Sequence, residues 1–198
     1  MANISRITDR IWTGGDLPSH IGDDAMIADL ADITTAGITH IIDNRGERDD
    51  GAFIAEHAPA VTYVWNGQDD AGQQMPDRWF DAGVGAALEA LVQPGTAVLS
   101  HCHMGINRGP SMAFAIMLAT GWAPAEALSA IRRARPIAAT YYSDNALDWW
   151  LRVSGTPHAS ARRQRAALSA WHAAHPIDVV RIVRRERSAE FAGLPLGA

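Results

Sequence analysis

With 198 residues, 47% of them hydrophobic and 20% charged, the chain is long enough for one domain with a sizeable core plus an appendage. A formal net charge of −5 argues against general nucleic-acid affinity, a single cysteine excludes an internal disulfide framework, and no apolar run is long enough to span a bilayer. The lone thiol and the absence of a charged-then-apolar stretch at the start lead us to expect a cytoplasmic protein.

Taken in chain order, apolar periodicity and turn residues predict short strands at residues 4–7, 11–13, 38–43, 61–65 and 97–101. Helices are predicted at 24–35, 49–57, 77–92, 109–119, 124–134 and 143–153. The alternation describes an α/β fold with a central, mostly parallel sheet of about five strands flanked by helices. Pro76 and Pro124 sit where a first helical turn tolerates proline, and Gly37, Gly95 and Gly121 where helices or turns end. In such a sheet the ligand crevice lies at the C-terminal ends of the strands. Asp43, Asn44, Arg45, Gly46 and Glu47 reach that edge after one strand, with Arg45 a candidate substrate contact and Asp43 a candidate brace.

Beyond Thr156 and Pro157, residues 158–174 have helix composition, with Leu168 and Trp171 placed to bury one face and His172 and His175 read as surface groups. Pro176 stops that helix, and the residues after it read as a short element or a loose tail. We therefore divide the chain into a main domain, 1–155, and a helical C-terminal extension, 156–198. All 17 basic side chains are arginines, many of them late, at Arg162, Arg163, Arg165, Arg181, Arg184, Arg185 and Arg187. This Arg-rich segment offers a surface to an acidic partner, or simply a solvated helix face.

The most informative stretch comes after the fifth strand: His101, Cys102, His103, Met104, Gly105, Ile106, Asn107 and Arg108, with the only cysteine six positions ahead of an arginine. Such a loop curls around one tetrahedral oxyanion, with backbone N–H groups pointing inward and a planar guanidinium closing the ring. The loop caps the N-terminus of an apolar helix, where unpaired N–H groups and the helix dipole favour an anion and a reactive thiolate. Gly105 and Gly109 allow unusual dihedrals or close backbone approach. A zinc reading of His101, Cys102 and His103 fails, because strand alternation points the cysteine away from the histidines and no second pair at zinc spacing completes a site.

That stretch resembles the active-site signature of the cysteine-dependent protein tyrosine phosphatases, His-Cys-two residues-Gly-two residues-Arg, matched at His101, Cys102, Gly105 and Arg108. Arg6 to Gly15, Ala36 to Ile42, and Ala125 to Pro136 are similar to segments of the small dual-specificity branch, so the resemblance covers roughly residues 4 to 153. It implies a phosphatase-like catalytic domain at 1–155, no cofactor and no metal. Cys102 is implied as nucleophile and Arg108 as oxyanion holder. His103, Met104, Gly105, Ile106, Asn107 and Arg108 would bind phosphate, with His101 and Ser111 in support. The family's general acid lies about thirty residues before the nucleophile and ten before a helix-starting phenylalanine. Asp70 meets both markers, thirty-two positions before Cys102 and ten before Phe80, in a polar stretch suited to a lid, and Asp69 is its near competitor.

Two positions depart from the family pattern. Gly109 replaces the Ser or Thr whose hydroxyl helps the thiolate leave, so a slower second step is expected. Ala139 and Thr140 stand where a Pro-Asn pair is common, while Tyr141 and Tyr142 read as core or rim aromatics. The resemblance implies hydrolysis of phosphotyrosine, and also of phosphoserine or phosphothreonine, on a phosphorylated protein or peptide. The alternatives are a catalytically weak phosphate-binding module and a phosphatase acting on phosphoinositide or RNA 5'-phosphate.

Overall fold

The computed structural model describes residues 1–192, so the last six positions of the C-terminal extension lie outside the described residues. Five strands, β1 (Ile4–Arg6), β2 (Ile11–Gly14), β3 (His40–Arg45), β4 (Thr62–Gln68) and β5 (Val98–His101), form one sheet in the order β1-β2-β5-β3-β4. Only β1 pairs antiparallel; β2, β5, β3 and β4 run parallel. The mostly parallel α/β sheet expected from the sequence is therefore present. The register sets Gly14 and Asp43 on either side of His101, so three loops leave the same edge side by side.

Both faces of the sheet are covered, which is why all four residues of β5 are buried without alternation. On one face, α1 (Asp23–Thr35) and α2 (Gly51–His57) pack Met26, Leu30 and Ile54 against Ile41 and Leu99. On the other lie α3 (Asp77–Leu91), α4 (Arg108–Ala119), α5 (Pro124–Ala134) and α6 (Ser143–Val153). Here α4 is hydrophobic all round and buried from Arg108 to Leu118, with α3, α5 and α6 around it. The site loop therefore enters a helix that packing holds rigid.

Two segments go beyond what the sequence reading settled. Strand β4 continues to Gln68, because pairing with β3 resumes past an irregularity between Asp43 and Arg45. Among the described residues beyond Pro176, the first of the two readings holds and the segment packs as an element. It forms a helix, α8 (Val179–Phe191), whose N-terminus is capped by the Asp178 carboxylate accepting the Arg181 N–H at 3.0 Å. Before it, α7 (His158–Ala174) buries Leu168 and Trp171 in the same cluster as α4, and the Trp171 indole N–H donates to Ser129 at 2.8 Å. His172 is not simply a surface group, since its Nε2 lies 2.9 Å from the Ser143 hydroxyl. Among the described residues no helix is long and apolar enough to cross a membrane.

Candidate active site

Cys102 leaves β5 and opens a loop that ends at Arg108, the first residue of α4. The carbonyls of this loop are held from outside. The His103 carbonyl accepts Asp16 N–H at 2.9 Å, Met104 and Gly105 accept the Arg135 guanidinium at 2.9 and 2.6 Å, and Ile106 accepts Ala139 N–H at 2.7 Å. In a planar peptide the C=O and the following N–H point in opposite directions, so the N–H groups of residues 104–107 turn inward. The result is an amide-lined cup with the buried Cys102 at its floor.

Gly105 makes the cup possible. Its φ is 64°, and a Cβ there would stand 2.5 Å from the Arg135 guanidinium and from the Gly14 backbone. Gly109 is required for a different reason, because a Cβ at that position would approach the His101 carbonyl carbon to 2.8 Å. Packing of α4 on β5 thus excludes the hydroxyl that the family pattern places there. Ser111 is buried and sits behind the loop, with its hydroxyl 3.5 Å from Asn107 Oδ1 and accepting the Tyr142 N–H at 3.3 Å.

Arg108 is almost fully buried, and its two terminal nitrogens donate to the Glu47 carboxylate at 2.6 and 2.7 Å, with a further bond to the Gln68 carbonyl at 2.7 Å. Its Nε is buried without a hydrogen-bond partner and lies 3.5 Å from Asp70 Oδ2. The two terminal nitrogens are therefore braced, while Nε has no hydrogen-bond partner and faces the Asp70 carboxylate. Burial works against the Arg108 charge, but Glu47, Cys102 and Asp70 together hold it above its ordinary value. Burial likewise opposes the Glu47 charge, and Arg108 still keeps that carboxylate below its usual range.

Asp70 stands over the cup on the segment between β4 and α3. Its Oδ1 accepts the Asn107 amide at 2.7 Å and the Tyr142 hydroxyl at 2.8 Å. Burial and the bond to Asp70 push Tyr142 up to about 12, so the phenol stays protonated as a donor. Asp69 lines the same cleft, and its carbonyl accepts the Gln73 side chain at 2.6 Å.

Beneath the loop, the sequence reading of Arg45 needs correction. Arg45 is fully buried and cannot meet substrate, because Asp43, Asp50 and Asp16 surround its guanidinium. Asp43 does brace the site, with the Tyr63 hydroxyl at 2.7 Å and His101 Nε2 at 3.6 Å. Desolvation drives His101 toward its neutral form, in spite of Asp43. Asp16 carries the network up to the loop by bonding His103 Nδ1 at 2.9 Å.

The cleft over the cup has a volume of about 560 Å³ and is lined by the loop from Cys102 to Arg108 apart from Gly105, with Glu47, Asp69, Asp70 and Tyr141. Val179, Val183 and Arg187 of α8 close its remaining side. Three contributors were missed in the sequence. Glu47 was legible in principle, since it comes after β3 at the crevice edge. Tyr142 and α8 reach the site only through tertiary return of the chain.

No family model matches this chain. It is 25% identical to human dual specificity protein phosphatase 26 over 110 residues, 56% of this chain and 50% of the relative, and the bovine protein gives the same values. The chain thus spans about half the length of the curated relatives it matches. Among solved structures, PTPMT1 in complex with PI(5)P is similar with a TM-score of 0.62 at 18% identity, covering 77% of this chain and 97% of that one. Human DUSP28 gives 0.59 at 14% identity, over 78% and 97%. Tk-PTP in the active form gives 0.58 at 16% identity, over 78% and 98%.

Proposed function

From relatives and a fold that point to the cysteine-dependent phosphatase superfamily, we propose that this protein hydrolyses phosphate monoesters, foremost phosphotyrosine on proteins, through a phosphocysteine intermediate. Phosphoserine and phosphothreonine are secondary substrates in this reading. The observation that carries it is the Arg108 guanidinium in the same cleft as Cys102 and Asp70, with its buried Nε free of any hydrogen-bond partner and 3.5 Å from the Asp70 carboxylate.

In the first step the Cys102 thiolate attacks phosphorus, the P–O bond breaks, and the leaving oxygen takes the proton of Asp70. The loop amides and Arg108 hold the equatorial oxygens as charge redistributes, a task of position and electrostatics. In the second step water attacks the phosphocysteine, Asp70 takes its proton, and the P–S bond breaks to return the thiolate and free phosphate. Glu47 orients Arg108, and Asn107 with Tyr142 orient Asp70. In this proposal residues 1–155 are the catalytic domain and 156–198 its extension. A reducing, cytoplasmic compartment suits the unprotected thiolate.

The test is a panel of phosphotyrosyl, phosphoseryl and phosphoinositide substrates assayed with Cys102→Ser, Asp70→Asn and Asp69→Asn. Cys102→Ser should abolish turnover yet retain binding of the phosphotyrosyl substrate. Asp70→Asn should slow poor leaving groups most, by about 10²-fold or more. Turnover by Cys102→Ser would overturn the proposal, and an effect confined to Asp69→Asn would move the acid.

A further inference from the structure

Residues four apart on a helix share a face, so Val179, Val183 and Arg187 form one stripe along α8, and all three line the cleft that holds Cys102. A neighbouring face of α8 is turned to the loop. Glu186 is buried and its charge acts on Arg135, while Glu190 Oε2 lies 3.5 Å from His103 Nε2. These acids and the apolar stripe set which side of α8 faces the site.

The charges in the cleft are unevenly committed. Arg108 is held by Glu47, and His103 is bonded to Asp16. Arg187 is exposed and forms no ion pair among the described residues. Phosphate would complete the partners of Arg108 and leave one cation over. A second anionic group on the substrate would find its partner there. A polyphosphorylated inositol would need several uncommitted cations, and would meet Glu47, Asp69 and Asp70 instead. A flat aromatic body suits the walls better, since Val179, Val183, Ile106 and the exposed Tyr141 are apolar surfaces around the opening.

We propose that α8 is the substrate-selecting wall of this site, with Arg187 binding a single glutamate or aspartate beside the phosphotyrosine of a peptide and Val179 and Val183 packing against the ring. This rests on the phosphatase reading for its substrate class. It gives the C-terminal segment a role that the catalytic loop does not supply.

The experiment compares a phosphotyrosyl peptide carrying Glu on both sides of the phosphotyrosine with its Gln twin and with a short-chain phosphoinositide. Hydrolysis is measured for the parent, Arg187→Gln and Arg187→Lys, and binding is measured calorimetrically with Cys102→Ser in each background. The acidic peptide should be preferred by about 5- to 20-fold, as a charge-assisted contact warrants. Arg187→Gln should bring that ratio near 1, Arg187→Lys should keep part of it, and added salt should shrink it. A parent ratio near 1, or a ratio that survives Arg187→Gln, overturns the proposal. So does an Arg187→Gln defect confined to a short-chain phosphoinositide, or a failure of Cys102→Ser to bind either peptide. Absence of turnover with the binding ratio intact overturns the phosphatase reading alone and leaves the acidic subsite standing.

Discussion

The side-chain amide of Asn107 donates to Oδ1 of Asp70 at 2.7 Å, so the residue just before Arg108 also grips the carboxylate on the overlying segment. Asn107 is itself fixed, because its Oδ1 accepts the Tyr141 N–H at 2.7 Å. Tyr142 grips the same carboxylate from the other side, with its hydroxyl also accepting the Gly72 N–H at 3.1 Å. The position of the Asp70 carboxylate is thus determined by the loop beneath it.

Removing one grip should cost most when the leaving group needs its proton most. Tyr142→Phe keeps the buried ring and deletes the hydroxyl, a charge-assisted bond whose loss corresponds to about tenfold in rate. We expect kcat on alkyl phosphates to fall by that amount and kcat on an activated aryl phosphate to change little. A loss equal across leaving groups would mean that Tyr142 serves the fold and not the acid.

Glu47 sets the aim of Arg108. Its side chain is half exposed, so the ion pair contributes no more than about 1 kcal/mol to stability, and Glu47→Ala should barely move Tm. Activity should respond more. With Glu47 gone, the guanidinium keeps only the Gln68 carbonyl and the 3.5 Å ion pair with Asp70, and in the proposed mechanism misplacement of a transition-state donor is costly. We expect kcat/KM to drop about tenfold together with weaker inhibition by vanadate, and Glu47→Gln to lie between. Unchanged vanadate inhibition would show that Arg108 needs no such brace.

The place of the loop from Cys102 to Arg108 was legible because its consecutive residues lie between a buried strand and an apolar helix. The strands themselves were readable for the same local reason. Arg45 was misread because its three acidic partners, Asp43, Asp50 and Asp16, come from separate segments and only the folded sheet edge brings them together. The end of β4 was missed because Asn66, Gly67 and Gln68 have turn-like composition, whereas pairing with β3 continues through them. Glu47 lay at the right edge, but nothing local paired it with Arg108, sixty-one positions away. The cleft-facing stripe of α8 has no local signal at all, since Val179, Val183 and Arg187 gain their meaning from where α7 delivers the chain.

Gly109 leads to a kinetic expectation and a stability one. Among the described residues no hydroxyl is hydrogen-bonded to the Cys102 sulfur, and the Ser111 hydroxyl is engaged with Asn107 and Tyr142. Departure of the thiolate from the phosphoenzyme should therefore limit turnover, giving a burst of released alcohol or phenol equal to the enzyme concentration in rapid-mix experiments. A linear trace would contradict this. Gly109→Ser should not restore the hydroxyl cheaply, because its Cβ meets the His101 carbonyl carbon at 2.8 Å. Overpacking of this kind costs about 1–3 kcal/mol, which lowers Tm by roughly 2–4 °C per kcal/mol in a chain of this size.

His103 should make part of the stability depend on pH. The hydrogen bond that its Nδ1–H donates to the Asp16 carboxylate raises its pKa, burial opposes this, and the charges of Asp16, Glu190 and Glu47 add to the rise. A histidine whose folded pKa lies above the unfolded value near 6.5 contributes stability that is fully present below that value. The contribution disappears as pH climbs through the raised folded pKa. His103→Gln should accordingly lower Tm most below about pH 6.5 and progressively less on the alkaline side. Comparing the two proteins at each pH removes the opposing effects of His40, His101 and His172, whose lowered pKa values are common to both. Because Glu190 belongs to α8, Glu190→Gln should reproduce a fraction of this pH-dependent loss, whereas Glu56→Gln on α2 should reproduce none of it. A Tm difference between the parent and His103→Gln that stays constant from pH 5.5 to 9 would mean that the imidazole gains no charge from its carboxylate neighbours.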